Sequence, residues 1–173
     1  MTTRESITSQ TPIADADRLL TAEPVVVHRQ DNLEAIAQRA VENPICRVLS
    51  VVDDDERLVG LIPIRVLVND IFLKIVPEEF LSEIADLDAA LQYASHLAAR
   101  TAADIMIEPV SLSPTETVRT AFERMHHSRM NGLPICDSEG RVIGYLDMLE
   151  LLLVWIRSTG RSALLRPPGQ ETT

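Results

Sequence analysis

The chain repeats itself. Ala16-Asp17-Arg18-Leu19-Leu20-Thr21-Ala22-Glu23-Pro24 resembles Ala103-Asp104-Ile105-Met106-Ile107-Glu108-Pro109 once a two-residue gap is allowed, and the closing prolines stand 85 residues apart, at 24 and 109. A short β-type run follows each, Val25-Val26-Val27 and Val110-Ser111-Leu112, and then apolar residues at helical spacing. Leu33, Ile36, Ala37 and Ala40 have apolar counterparts 85 residues on, at Val118, Ala121, Phe122 and Met125, so each copy is expected to bury one face of a helix. In the second copy Ser113-Pro114-Thr115-Glu116 supplies a capping hydroxyl, a proline at the first helical position and a glutamate at the third. In the first copy either His28 with Asp31, or Asp31 with Glu34, can cap the helix.

Each copy continues with two β-type runs around a polar turn: Cys46 to Val52, Asp53-Asp54-Asp55-Glu56, Arg57 to Ile62; then Leu133-Pro134-Ile135-Cys136, Asp137-Ser138-Glu139-Gly140, Arg141 to Leu146. Gly60 and Gly144 occupy equivalent places, and a helix closes each unit, from Ile64 to Ile75 and from Asp147 to Arg157. The expected fold class is therefore α+β, with two β-α-β-β-α repeats. A unit of about 55 residues leaves one sheet face that only a second copy can cover, so the repeats should pack as a pseudo-twofold pair.

The expected organisation is a flexible segment over 1–15, repeats over 16–72 and 103–157, a helical insertion over 73–102 and a flexible tail over 158–173. In the insertion, Phe80, Ile84, Leu87, Leu91, Ala94 and Ala98 form a narrow seam of 3.5-residue period, which must lie against the protein's own elements or a partner.

Charge and motifs exclude several function classes. Lys and Arg total 16 against 26 Asp and Glu, and the net charge of −10 argues against nucleic acid or an anionic membrane as a partner. The 6 glycines form neither GxGxxG nor GxxxxGK[ST], and the two cysteines, Cys46 and Cys136, lack metal-ligand or disulfide-scaffold spacing. No apolar stretch reaches the ~20 residues of a membrane span and the N-terminus lacks a leader's apolar core, so a cytoplasmic location is the expectation. No Ser/His/Asp order, HExxH or reactive-cysteine motif suggests an enzyme, and no catalytic residue is assigned. Asp53 to Glu56 offers hard oxygens to a cation but has the position of a solvated turn. His126 and His127 point about 100° apart on a helix, and no metal site is expected.

The Asp104-Ile105-Met106 opening, the Leu133-Pro134-Ile135-Cys136-Asp137 strand and Gly144-Tyr145-Leu146 resemble features of the CBS domain, the module named after cystathionine β-synthase. The first copy resembles it through Val51-Val52-Asp53 and Leu58-Val59-Gly60, with Leu49-Ser50 where Leu-Pro is usual. Two copies in register look like a tandem CBS pair, or Bateman module. The resemblance implies a regulatory protein that binds an adenosine nucleotide or S-adenosylmethionine in a cleft between repeats. It also implies a stand-alone chain, homodimeric, acting on a protein partner in trans. The alternative is a structural adaptor whose clefts have decayed and whose helical insertion, with the apolar final helix Leu151 to Ile156, mediates dimerisation or partner docking.

In the family, the last strand and helix often carry G-apolar-apolar-[ST]-x-x-D, where the hydroxyl meets phosphate and the acid holds the ribose diol. Here Pro63 and Val66 take those places in the first copy, and Asp147 and Glu150 in the second. Glu150 can still accept a diol, whereas Asp147 would repel a phosphate unless a cation intervened. Asp147 can equally cap the last helix, and Glu150 can equally face solvent. Asn131, Gly132, Leu133 and Pro134 are the candidate adenine lining, with Pro109 and Val110 as an apolar wall and Gly144 opening the final motif. Arg119, Arg124, His126, His127 and Arg129 could offset phosphate charge, or form the wet face of their helix.

Overall fold

A computed structural model describes residues 7–16, 22–75 and 99–158. The first repeat comprises α1 (Ile13–Ala16), β1 (Val26–His28), α2 (Leu33–Glu42), β2 (Val48–Val52), β3 (Leu58–Pro63) and α3 (Ile64–Ile75). The second comprises α4 (Ala102–Ile105), α5 (Val118–Ser128), β4 (Gly132–Cys136), β5 (Val142–Asp147) and α6 (Met148–Ser158). β1 runs parallel to β2, which requires the crossover through α2, and β2 pairs antiparallel with β3. All of β2 is buried, which is why Val-Leu-Ser-Val-Val shows no polar alternation.

The hairpins of the two repeats are built alike. Asp53 Oδ1 accepts from the Asp55 and Arg57 amides at 3.0 and 2.9 Å, and Asp137 Oδ1 accepts from Glu139 and Arg141 at 2.9 Å each. The left-handed residue of the turn is Glu56 in one copy (φ 62°) and Gly140 in the other (φ 84°). The first strands differ. Ser50 N–H donates to Val25 O at 2.9 Å, whereas Pro134 stands in its place without a donor. The strand expected at Val110 to Leu112 is accordingly reduced to one residue, Leu112, bridged parallel to Ile135.

The helix starts also correct the sequence reading. The caps are Asn32, which accepts from Ala35 N, and Thr117, which accepts from Thr120 N. The residues expected to cap instead form turns. Asp31 and Glu116 each take a backbone N–H, from His28 and Ser113, and an ion pair, from Arg39 and Arg124. Each arginine also donates to a first-strand carbonyl, Val26 O or Ser111 O, so Arg124 is committed inside its own repeat. The apolar faces of α2 and α5 are buried as expected except at Phe122, which is 53% exposed and stacks on His126 with ring centroids 6.5 Å apart. Its counterpart Ala37 packs at the margin of the core, where a methyl finds room and a phenyl ring turns outward.

Reciprocal backbone bonds join the repeats. Ile13 N donates to Glu116 O (2.8 Å), Ala14 N to Pro114 O (3.0 Å) and Val118 N to Thr11 O (3.0 Å). Their counterparts are Ala102 N to Asp31 O (2.9 Å), Ala103 N to Arg29 O (3.0 Å) and Leu33 N to Arg100 O (3.2 Å). Each short helix thus docks on the other repeat, and Arg57 pairs opposite its own equivalent Arg141, as residues beside a twofold axis must. This bonding equates Ala14-Asp15 with Ala103-Asp104, two residues upstream of the alignment drawn from the sequence. It also ties down Ser9 to Ile13, expected to be part of a flexible segment: Arg119 N donates to Ser9 O at 2.9 Å. The seam from Phe80 to Ala98 and the tail beyond Ser158 lie outside the described residues.

Candidate functional site

The ends of β3 and β5, where each strand turns into its helix, lie beside the starts of β2 and β4. Gly132 pairs with Asp147 in one ladder and Val48 pairs with Pro63 in the other. Just beyond, Met148 N donates to Asn131 O at 2.8 Å, and Ile64 N donates to Arg47 O at 2.9 Å. Strand pairing therefore brings Asn131, Gly132 and Asp147 together. Between the two ends opens a cleft of about 80 Å³ lined by Arg47, Val48, Pro63, Ile64 and Arg65 of the first repeat and Arg129, Met130 and Asn131 of the second. The first-repeat wall escaped the sequence reading, although the ladder equivalence of Val48 with Gly132 is the signal that points to it.

Gly132 has a packing reason. A Cβ there would fall 2.0 Å from Tyr145 Oη, and the buried Tyr145 hydroxyl accepts from Arg47 N across the repeat boundary at 3.2 Å. Tyr145 therefore lies against the glycine assigned to the adenine lining. Leu133 and Pro134 are buried within β4, and Gly144 sits opposite Ile135 in β5. Pro109 is exposed and Val110 half-buried, on the segment between Ile107, bridged to Leu61, and Leu112.

The two acids differ in their surroundings. Asp147 is 2% exposed; Oδ1 accepts from Leu149 N at 2.8 Å, which is the helix-capping geometry. Its Oδ2 lies 3.9 Å from Arg47 Nε and has no hydrogen-bond partner among the described residues. Burial raises its carboxyl above the usual range, opposed by the Leu149 N–H and the Arg47 charge. The half-buried Glu150 does not simply face solvent: Oε1 accepts from Ala22 N at 3.0 Å, holding the strand entry of the first repeat against α6. Burial raises both cysteine thiols, Cys46 and Cys136, so neither is an activated nucleophile near neutral pH.

The raised carboxyl of Asp147 has a measurable sign. The folded chain binds this proton more tightly than the unfolded chain, so Asp147 contributes most to stability below the ordinary carboxylate pKa of about 4. That contribution is lost as pH rises through the raised folded value. Asp147→Asn keeps the Oδ1 acceptor and removes the charge. It should raise the melting temperature at pH 7 by about 2–4 °C and lose this advantage toward pH 3 in a calorimetric pH series. A lower melting temperature at pH 7 would show that the Arg47 attraction outweighs burial.

A larger, shallow hollow of about 500 Å³ lies between β1 and α2, lined by Glu23, Pro24, Val25, Val26, Arg39, Glu42 and Asn43. It belongs to one repeat, and two of its polar side chains are engaged: Arg39 with Asp31 and Val26 O, Asn43 with Glu23 O. The junction cleft, shared by both repeats, is the better candidate.

Comparison with known proteins agrees with this architecture. Among curated protein sequences none matches the chain. A CBS domain-containing protein from Thermotoga maritima superposes with a TM-score of 0.67 at 23% identity, over 95% of this chain and all of that one. CBSX2 from Arabidopsis thaliana, in complex with AMP, gives 0.61 at 17% identity over 86% of this chain and 98% of its own. The CBS domain pair of MJ0100, in complex with 5′-methylthioadenosine and S-adenosyl-L-methionine, gives 0.62 at 18% identity over 88% and 98%. At these identities the likeness shows the fold. The sequence model of the CBS domain matches residues 13–72 and 102–156, about two thirds of the chain, and the chain therefore belongs to the CBS domain family, with two copies of the domain in tandem.

Proposed function

We propose that this CBS pair is a non-catalytic regulatory module that binds an adenosine-type molecule at the junction of its repeats and acts in trans on a protein partner. The observation that carries this reading is the shared cleft: a molecule seated against Arg47 to Arg65 on one side and Arg129 to Asn131 on the other touches both halves at once. Its binding energy can therefore bias their relative placement. The AMP and S-adenosylmethionine complexes of CBSX2 and MJ0100 support the ligand class. The cleft is smaller than the ~300 Å³ of an ordinary small-molecule site, so a nucleoside must extend beyond it along the β4 and β5 ends. There Asn131, Gly132, Leu133 and Pro134 frame the base, Pro109 and Val110 the apolar wall, and Gly144, Asp147 and Glu150 the ribose side.

Thermal-shift titration with adenosine, AMP, ADP, ATP and S-adenosylmethionine, with and without magnesium, tests the reading. Saturation at 100 times Kd adds about 2.7 kcal/mol of stability. Glu150→Gln keeps an acceptor for Ala22 N while removing the charge. It should weaken adenosine binding at least fivefold without lowering the ligand-free melting temperature, and equal affinity would remove Glu150 from the site.

A second reading, an adaptor that works by association, is favoured by α6. Leu149, Leu152 and Leu153 are exposed on it while Leu151 and Ile156 are buried, and Val68 is exposed on α3. This face suits a homodimer. No shift with any compound would make association the function.

A further inference from the structure

Four equivalent positions in each repeat close the flank of its first strand. Ser50 N–H donates to Val25 O and Arg29 N–H to Val52 O, so in the parallel ladder Val25, Val27 and Arg29 turn their backbone groups to β2. Val26 and His28 turn theirs the other way, to the side where β1 has no neighbouring strand among the described residues. A row of outward donors and acceptors templates pairing with another chain. Three of these four groups are already taken. Arg39 Nη1 donates to Val26 O, His28 N–H donates to Asp31 Oδ2, and Asp31 N–H donates to His28 O, each at 3.0 Å. Arg39 Nη1 also reaches Asp31 Oδ2 at 3.0 Å, which ties the caps into one clasp.

The second repeat builds the same clasp 85 residues on, at 111, 113, 116 and 124. Arg124 Nη1 donates to Ser111 O, Ser113 N–H to Glu116 Oε2 at 2.8 Å and Glu116 N–H to Ser113 O at 3.1 Å, with Arg124 paired to Glu116. The strand there is one bridged residue, Leu112, and the clasp is present all the same. Ion pairing alone is a weak reason for the first clasp, since Arg39 is exposed and exposed pairs stabilise little. The hollow of about 500 Å³ along Glu23 to Val26 leaves this flank of β1 open to an incoming chain.

We infer that the arginine–carboxylate clasp seals the outer edge of β1, and that opening it makes this edge a pairing site for the same edge of a second copy. A second copy is the occupant because it carries an identical run, Val26 to His28, and two identical edges pair antiparallel about a twofold axis. Arginine suits the task because one guanidinium donates to a carbonyl and a carboxylate at once, withdrawing an acceptor from the edge while holding the acid that withdraws a donor.

The test is light scattering of the full chain across protein concentration, for the parent, Arg39→Met, and Arg39→Met with Val26→Pro. Methionine keeps an unbranched stem and good helix propensity at an exposed position. Val26 N–H faces away from β2, so proline there spares the ladder and removes the donor an arriving strand needs. The expected result is that Arg39→Met still melts cooperatively while its mass rises with concentration to about twice that of the parent. The proline should return the mass to the parent's. In Arg39→Met alone, amide exchange at Val26 should slow as concentration rises, because that N–H then bonds to the second copy. A mass equal to the parent's at every concentration would overturn the seal, as would Val26 exchange that ignores concentration. Association that survives the proline would place the contact elsewhere and defeat the proposal. Loss of cooperative melting in Arg39→Met would make the clasp a support of the fold and end it too.

Discussion

Gly132→Ala is expected to lower the unfolding free energy by about 3 kcal/mol, the upper end of what overpacking a core costs. The added Cβ would meet Tyr145 Oη at 2.0 Å, Tyr145 Cζ at 2.4 Å and Leu146 O at 2.9 Å. None of these yields easily. Tyr145 is 1% exposed, and moving its ring outward would orphan Arg47 N and open a void, while the Leu146 carbonyl is backbone in the β4–β5 ladder. Urea unfolding measures the loss. Combining Gly132→Ala with Tyr145→Phe removes the nearest atom, so the double variant should regain about 1 kcal/mol relative to simple addition of the two losses. A Gly132→Ala loss under about 0.5 kcal/mol would mean that the tyrosine moves freely and that the glycine is not there for packing.

Ile62→Ala and Leu146→Ala are expected to cost about 3 kcal/mol each, and both should lower one shared transition. The two side chains are counterparts in the repeats, opposite Leu49 and Leu133, and all four are fully buried. The reciprocal docking of α1 and α4 puts each repeat's first turn on the other repeat, so neither can unfold while leaving the other's bonds intact. Calorimetry with equal van't Hoff and calorimetric enthalpies is the check. Two resolved transitions in either variant would show that the repeats fold independently and that the crossed bonds add little.

Much of this architecture was legible from periodicity. α3 starts at Ile64, where the β-type run gives way to helical spacing, and the hairpins fall where polar turns interrupt β-branched runs, because hydrogen bonding and burial there are local along the chain. The helix starts were misread at Ser113 and at His28 or Asp31. Those residues satisfy the local rules for a cap, yet Asp31 and Glu116 are claimed by arginines eight positions on. The shortened first strand of the second repeat was visible in principle, since Pro134 cannot donate to a neighbour, but only strand pairing says which neighbour goes without.

At the candidate site, the sequence picked out Asn131, which lines the cleft, and Asp147 and Glu150, which are not among its lining residues. It did not locate Arg47 and Arg65, because they come from the other repeat and approach through the pseudo-twofold relation. Nor did it show that Glu150 holds the Ala22 amide, a contact spanning 128 positions of sequence.

By itself, the amino-acid order determined that there are two like units, what each unit contains and which faces are apolar, since these depend on spacing within a few turns of chain. The tertiary structure decided how the units exchange their first helices, which glycine is obligatory, and where three arginines meet in an acidic protein. Such features depend on distances between residues far apart in the chain, and those distances exist only once the buried faces have closed on each other.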